Sequence, residues 1–302
     1  MSVKGRFAPS PSGWMHLGNL FSSLIAWLDV RSAGGTMLLR IEDLDPMRCK
    51  REYALRLMED LKWLGLDWDE GPYYQSERSA IYEAEFQRLG RTHEIYPCFC
   101  SRADRLAAAA PHPGEETKGV GSCPCRYFTQ KEREEKSRTR APAWKIAVPD
   151  ETVSFVDDLQ GPWSENLAQG CGDFILRRAD GGYAYQLCVT VDDALMGVDR
   201  VVRGRDLLDS TPRQIWLQRQ LEYPTPGYLH VPLLVAEDGR RLSKREEDMG
   251  MEELRQRYRP EELTAFLAKM AGFWGGNEGI LPKNLIMQYF QNKLRKNDLV
   301  LK

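Results

Sequence analysis

Two pairs of closely spaced cysteines, Cys98/Cys100 and Cys123/Cys125, form a C-x-C…C-x-C pattern with 22 residues between the pairs. Four thiolates suit a tetrahedral zinc ion, with Zn–S of about 2.3 Å. The plainer alternatives are reduced packing cysteines or a site that has lost its metal. Seven cysteines, four of them in these close pairs, fit a metal site in a reducing compartment better than a disulfide framework. Cys49, Cys171 and Cys188 stand alone and read as small apolar residues. His93 and His112 flank the cysteines without paired spacing and read as surface residues. A different chemistry is carried by the segment from Arg6 to Asn19, RFAPSPSGWMHLGN. Two prolines stiffen this turn, Gly13 and Gly18 permit close backbone approach, and His16 can present a ring N–H to a phosphoryl oxygen. Far along the chain, Arg240-Arg241-Leu242-Ser243-Lys244-Arg245 offers a lysine able to neutralise charge as pyrophosphate departs. Taken singly, the first is also a Pro-rich loop with an incidental histidine, and the second a solvated surface.

The elements that must position these groups follow from periodicity. Residues 3–8 read as a short strand, and Leu17, Leu20, Leu24 and Leu28 then recur at helical spacing. Gly34-Gly35 ends that helix, and residues 36–41 are a continuous apolar run of the buried parallel-strand kind. Residues 53–64 form a second helix with Leu55, Leu57, Met58, Leu61 and Leu64 near one face. Strand, helix, strand, helix implies a parallel sheet with right-handed crossovers. In such sheets ligands bind at the carboxyl ends of strands, and helix N-termini attract phosphate, which is where the Arg6–Asn19 segment falls. Arg48, Lys50 and Arg51 open the second helix, where the dipole disfavours cations; anion contact and a solvated face both fit. Residues 93–143 break the pattern and read as an insertion between two halves of the sheet. The α/β character resumes with the runs 174–177 and 185–191, a helix over 211–221 and a strand over 229–235. From residue 252 the chain is mostly helical, with Leu254, Leu263, Phe266, Leu267 and Met270 as packing positions.

The chain has 302 residues, with 42 Lys+Arg against 44 Asp+Glu and a formal charge of −2. A protein gripping RNA over a wide surface carries a basic excess, so any RNA footprint is expected to be local. No apolar run approaches the ~20 residues needed to span a bilayer, and the start MSVKGRFAPS lacks a signal peptide's apolar stretch. A cytoplasmic chain without a membrane partner is expected. Neither a Walker A loop nor a G-x-G-x-x-G follows any strand, which disfavours the other common nucleotide-binding designs.

His16-Leu17-Gly18-Asn19 and Arg241-Leu242-Ser243-Lys244-Arg245 resemble the HIGH-type and KMSKS-type signatures of class I aminoacyl-tRNA synthetases. The long form from Arg6 to Asn19 looks like the glutamyl/glutaminyl branch. So do Ile41-Glu42-Asp43-Leu44-Asp45, Tyr73-Tyr74-Gln75-Ser76-Glu77-Arg78, and the stretch from Asp173 through Tyr185, Asp192-Asp193 and Arg203. The resemblance covers about residues 3–248 in family order. It implies an α/β, Rossmann-like doubly wound parallel sheet with a zinc-binding insertion and a short helical C-terminal tail. The expected division is 1–92 and 144–250 for the two halves of the catalytic fold, the second bearing the lysine loop, with 93–143 as insertion and 251–302 as tail. By resemblance, Arg6, Ala8, Ser10, Glu42, Tyr185 and Arg203 match glutamate-contacting positions. Arg6 and Arg203 are natural carboxylate forks, Glu42 can meet the ammonium, and Tyr185 offers a hydroxyl and an apolar wall. His16, Gly18, Asn19 and Lys244 match ATP-binding positions, with His16 and Lys244 stabilising phosphate and Mg²⁺ escorting ATP. The family's third zinc ligand is often a tyrosine four residues before the last cysteine; that position is Gly121 here, so Cys123 would substitute beside Cys98, Cys100 and Cys125.

About 57 residues follow Arg245, too few for the large helical anticodon-binding domain of a complete glutamyl-tRNA synthetase. This stretch resembles the short tail of the glutamyl-queuosine tRNA(Asp) synthetase group. That resemblance implies activation of glutamate without tRNA, then transfer to the cyclopentene-diol of queuosine in the anticodon loop of tRNA(Asp), by a monomer. The rival expectations are a minimal glutamyl-tRNA synthetase charging the 3′ end, and an inactive, zinc-stabilised RNA-binding module.

Overall fold

A computed structural model describes residues 3–100, 123–236, 250–289 and 293–301. The lysine loop with Lys244, as well as His112 and Gly121, lies outside the described residues. Strand β1 (Lys4–Phe7) pairs in parallel with β2 (Thr36–Ile41), and β2 in parallel with β3 (Glu70–Tyr74). The apolar run of β2 buries every residue after Thr36, Arg40 included. Helix α1 (Leu17–Ser32) crosses from β1 to β2 and is covered on more sides than its four-leucine stripe implies, because Phe21, Ile25, Trp27 and Val30 are buried too. Gly34, at φ 65°, makes the left-handed turn that ends the crossover.

Helix α2 (Arg51–Leu64) ends at a left-handed Gly65 cap and turns Ala54, Leu57, Leu61 and Leu64 inward. Leu55 is a correction to the sequence reading. It is 50% exposed, because two residues of helix rotate it about 200° away from Leu57. Helix α3 (Ser79–Thr92) leads into β4 (Ile95–Cys98), and after α4 (Gln130–Ser137) the chain returns as β5 (Ala143–Ile146). A hairpin of β6 (Thr152–Asp157) and β7 (Gly161–Asn166) precedes β8 (Phe174–Arg177). The β4-β5-β8 ladder is antiparallel, so this middle portion departs from the parallel pattern on either side.

Helix α5 (Tyr185–Leu195) then leads to β9 (Arg200–Gly204), α6 (Thr211–Gln220) and β10 (Gly227–Val231), with β9 and β10 parallel. Strand β9 lies beside β1: Asp199 N–H donates to Lys4 O at 3.0 Å, and Lys4 N–H to the Asp199 carboxylate at 2.7 Å. The spatial order is therefore β3-β2-β1-β9-β10, and the chain reverses its direction of growth between β1 and β9. That reversal opens a crevice at the strand ends. The expected single strand over 229–235 splits in two. Pro232 has no N–H to continue the ladder, and β11 (Leu234–Val235) pairs instead with β12 (Leu299–Val300). Helices α7 (Met251–Arg257), α8 (Pro260–Ala271) and α9 (Pro282–Leu285) deliver Leu254, Leu263, Leu267 and Leu285 to the core that holds α1 and α2, with Phe266 and Met270 at its edge. A second core gathers Tyr82, Leu187 and Trp216 under α3, α5 and α6. No helix among the described residues is long and apolar enough to cross a membrane.

Candidate active site

The crevice at the β1/β9 switch point opens into a cavity of about 470 Å³. Arg6, Ala8, Ser10, Glu42, Tyr185 and Arg203 all border it, as do His16, Gly18 and Asn19. These positions come from four separated stretches of chain, each placed by the end of an element. Arg6 is one residue from the end of β1, Glu42 directly follows β2, Arg203 ends β9 with Gly204, and Tyr185 is the first residue of α5.

The cations are held by a buried network. Arg40, fully buried, donates from Nη1 to Asp193 at 2.7 Å and from Nη2 to Glu42 at 3.1 Å. Arg6 reaches Asp193 through Nε at 3.4 Å and Val202 O through Nη1 at 3.1 Å. Asp192 stands behind them and accepts from Gln75 at 2.8 Å, Arg78 at 2.7 Å and the Tyr82 hydroxyl at 2.7 Å. Burial alone would raise the Asp193 carboxyl, but Arg40 and Arg6 hold it below its usual range, so it stays ionised. Burial raises Glu42, and the same two guanidiniums offset only part of that rise. Burial also raises the Tyr185 phenol, which keeps its hydroxyl as a donor.

Arg203 is organised differently. Its Nε donates to His230 Nε2 at 2.9 Å and its Nη2 to Thr211 Oγ1 at 2.8 Å, while buried Nη1 has no hydrogen-bond partner among the described residues. None of these partners is a carboxylate, so among the described residues this buried guanidinium borders the cavity without a directly bonded carboxylate, although Asp193 lies near enough to feel its charge.

His16 is the N-cap of α1. Its Nδ1 accepts from Gly18 N–H at 3.2 Å, and Asn19 Oδ1 accepts from His16 N–H at 3.1 Å. With Nδ1 accepting, the proton of the neutral ring sits at Nε2. Gly18 leaves room for this fold-over: a Cβ there would lie 3.1 Å from His16 Cε1, and the ring would have to yield by a few tenths of an ångström. A second cavity of about 260 Å³ shares Ser10, Ser12, Glu42 and Tyr185 with the first and is closed by Arg48, Gln75 and Arg178. Outside it, Lys50 sits 5.5 Å over the Tyr53 ring and Arg51 4.0 Å over Tyr74.

The four clustered cysteines also meet. The Sγ atoms of Cys98, Cys100, Cys123 and Cys125 all lie within 4.8 Å of one another. The pairs Cys98–Cys123, Cys100–Cys123 and Cys100–Cys125 stand at 3.6, 3.7 and 3.6 Å. A tetrahedron with Zn–S of about 2.3 Å has edges of about 3.8 Å, so the donor set and its spacing fit zinc. The thiol hydrogen bond holds Cys123 low and Cys98 high, and Phe99 N–H donates to Cys125 Sγ at 3.4 Å. His93 is not among these donors. It is half-buried, bonded to Gln220 at 2.9 Å and packed edge-on against Trp216.

Sequence reasoning passed over Arg40, Asp157, Thr211 and His230. A charged or titratable residue inside an apolar run, as in Met37-Leu38-Leu39-Arg40-Ile41 and Leu229-His230-Val231, was the available signal for two of them.

A family model described as "tRNA synthetases class I (E and Q), catalytic domain" matches residues 2–300. A Glutamyl-Q tRNA(Asp) synthetase of Symbiobacterium thermophilum is 45% identical over 293 residues, covering 93% of this chain and 90% of that protein. One from Nitratidesulfovibrio vulgaris is 46% identical over 281 residues, covering 89% and 86%. The crystal structure of a glutamate–tRNA synthetase from Elizabethkingia anophelis shares the fold with a TM-score of 0.84 at 24% identity, over 100% of this chain and 68% of that one.

Proposed function

The chain belongs to the class I tRNA synthetase family for E and Q, and from that premise we propose that it activates L-glutamate with ATP and passes the glutamyl group to RNA. The observation that carries this reading is the uncompensated Arg203. Four guanidiniums, Arg6, Arg40, Arg78 and Arg203, stand with four carboxylates, Glu42, Asp157, Asp192 and Asp193, but Arg203 reaches Asp157 only through neutral His230 and makes no direct ion pair among the described residues. The side-chain carboxylate of glutamate gives the open Nη1 edge of Arg203 a charged acceptor, while its ammonium turns to Glu42. Glutamine, with no net charge, leaves Arg203 unpaired. In this reading Arg6 and Arg203 hold the side-chain carboxylate, Glu42 takes the ammonium, Tyr185 adds a hydroxyl, and the backbone about Ala8 and Ser10 closes the wall.

An oxygen of the α-carboxylate then attacks the α-phosphorus of ATP. The bond to the bridging oxygen of the β-phosphate breaks, and pyrophosphate leaves with its electron pair. Positioning and charge neutralisation dominate such a step. His16 Nε2–H supplies part of that neutralisation beside Gly18 and Asn19 at the positive end of α1; Lys244, outside the described residues, would supply more, and Mg²⁺ arriving with ATP would add charge stabilisation. An RNA hydroxyl next attacks the glutamyl carbonyl, AMP leaves, and the hydroxyl proton passes to solvent. The second cavity, which shares Glu42 and Tyr185, gives that hydroxyl a route separate from the phosphates. The acceptor in this reading is the cyclopentene-diol of queuosine in the anticodon loop of tRNA(Asp). The names of two relatives aligned over nearly their whole lengths support that choice. Cys98, Cys100, Cys123 and Cys125 would hold a zinc ion, which would tie the end of β4 to the turn at Cys123.

Radiolabelled pyrophosphate exchange into ATP with glutamate and no tRNA tests the first half. Exchange with glutamate and none with glutamine is expected, and silence refutes glutamate activation. Mapping labelled glutamate on tRNA tests the second half. Label in the anticodon loop is expected, whereas label at the 3′ terminus replaces queuosine with ordinary aminoacylation.

A further inference from the structure

Arg203 and His230 are direct neighbours in the register of β9 and β10. The His230 side chain is wholly buried, and so is that of its partner Asp157 at the end of β6. Asp157 accepts three backbone N–H groups, from Leu159 at 3.0 Å, Gln160 at 2.8 Å and His230 itself at 3.0 Å. Its second task is the His230 ring: Nδ1 lies 2.6 Å from Asp157 Oδ2. A carboxylate that receives this many donors stays ionised, although its burial works the other way. An ionised carboxylate only accepts, so Nδ1 bears the proton and Nε2 carries the lone pair. That lone pair receives the Arg203 Nε–H at 2.9 Å, with Thr211 Oγ1 at 3.2 Å. Thr211 in turn accepts from Arg203 Nη2 at 2.8 Å. Two of the three guanidinium nitrogens are thus fixed from behind by neutral acceptors, and the third, Nη1, is left open.

Resting on the glutamate reading above, we propose that His230 is the positioning residue for Arg203: its neutral, Asp157-fixed tautomer sets the plane of the guanidinium and makes amino-acid affinity sensitive to acid. Neutrality is what the arrangement needs. A carboxylate in place of His230 would pair with Arg203 and cancel the charge meant for the ligand. A protonated imidazole would set N–H against N–H and positive against positive. The charged and titratable groups around the ring are Asp157 from β6, Arg203 from β9, Arg6 from β1 and Tyr228 from β10, whose ring stacks on it at 6.0 Å. Burial and the two arginines outweigh Asp157, so the ring stays neutral below the ordinary histidine range. As pH falls through that lowered value, protonation turns Arg203 away from its plane and KM for glutamate rises while kcat changes less.

The test compares wild type with His230→Asn and His230→Gln in glutamate-dependent pyrophosphate exchange between pH 5.5 and 8.5. Asn reaches only as far as Nδ1 and keeps the Asp157 bond alone, so KM for glutamate is expected to rise at least tenfold. Gln places an oxygen near Nε2 that accepts from Arg203, so KM returns to within about threefold of wild type and its acid limb shrinks. Glu42 also titrates toward acid, so superposed acid limbs in wild type and His230→Gln assign the whole limb to Glu42 and overturn the proposal. An unchanged KM in His230→Asn also overturns it. A readout independent of activity is the imidazole ¹⁵N spectrum of the intact enzyme. Protonation at Nδ1 and a lone pair at Nε2 support the proposal, and the reverse tautomer refutes it even if glutamate proves not to be the substrate.

Discussion

Replacing Arg203 by glutamine separates binding from folding in a way few active-site substitutions do. In the unliganded site Arg203 is buried, only 6% exposed, with Nη1 lacking a hydrogen-bond partner among the described residues. Removing it relieves a desolvated charge while forfeiting the bonds to His230 and Thr211, at 2.9 and 2.8 Å. These effects oppose each other, several kcal/mol of relieved desolvation against two hydrogen bonds from a charged group at about 1.5–3 kcal/mol each, so the unliganded protein should change little in stability. Bound glutamate tells the opposite story. Its carboxylate loses a desolvated charge partner, for which truncation costs about 2–5 kcal/mol. At 1.36 kcal/mol per decade, a central value of about 3 kcal/mol is a loss of roughly 10²-fold in kcat/KM. Pyrophosphate exchange as a function of glutamate concentration measures it, with a thermal melt alongside. Discrimination against glutamine should shrink by a similar factor, because the charge that rejects the amide is gone. A glutamate KM within threefold of wild type, with an intact melt, would refute the assignment of Arg203 to the substrate carboxylate.

Three further outcomes are expected. Cys100→Ser removes a donor bordering both Cys123 and Cys125, so bound zinc should fall and the melting temperature drop; equal zinc by elemental analysis would reject the site. Glu42→Gln should weaken glutamate activation by roughly 100-fold, about the cost of unpairing a buried charge, through loss of the ammonium partner. The sign of its effect on stability is opposite: the folded-state pKa of Glu42 is raised, so the ionised form costs stability at neutral pH and protonation regains it as pH falls. A mutant melt equal to or above wild type at pH 7.5, converging at acid pH, is the expected signature. Lys244→Ala should slow adenylate formation by roughly 100-fold or more, the usual price of losing one charge-stabilising group, and an unchanged exchange rate would remove it from the mechanism.

What the sequence determined by itself is local. The strand-turn-helix at 4–32, the glycine stops at Gly34 and Gly65, and the cysteine spacing are written in neighbouring residues, because backbone geometry and caps act over one or two turns. Arg6, Glu42, Tyr185 and Arg203 were nameable from motifs alone, and the cavity they share agrees with that grouping without testing the roles given to them. Tertiary structure decided everything that depends on register. Arg40 meets Asp193 across 153 residues of chain, and His230 meets Asp157 across 73. Periodicity says which face of a strand is buried but not which strand lies next to it. Leu55 and Pro232 belong instead to the local class: helical rotation carries Leu55 about 200° from Leu57, and Pro232 has no N–H to continue a ladder. The charge left open on Arg203 belongs to the tertiary class: its neutral partners come from β10 and α6, and only their packing leaves a guanidinium edge for a ligand.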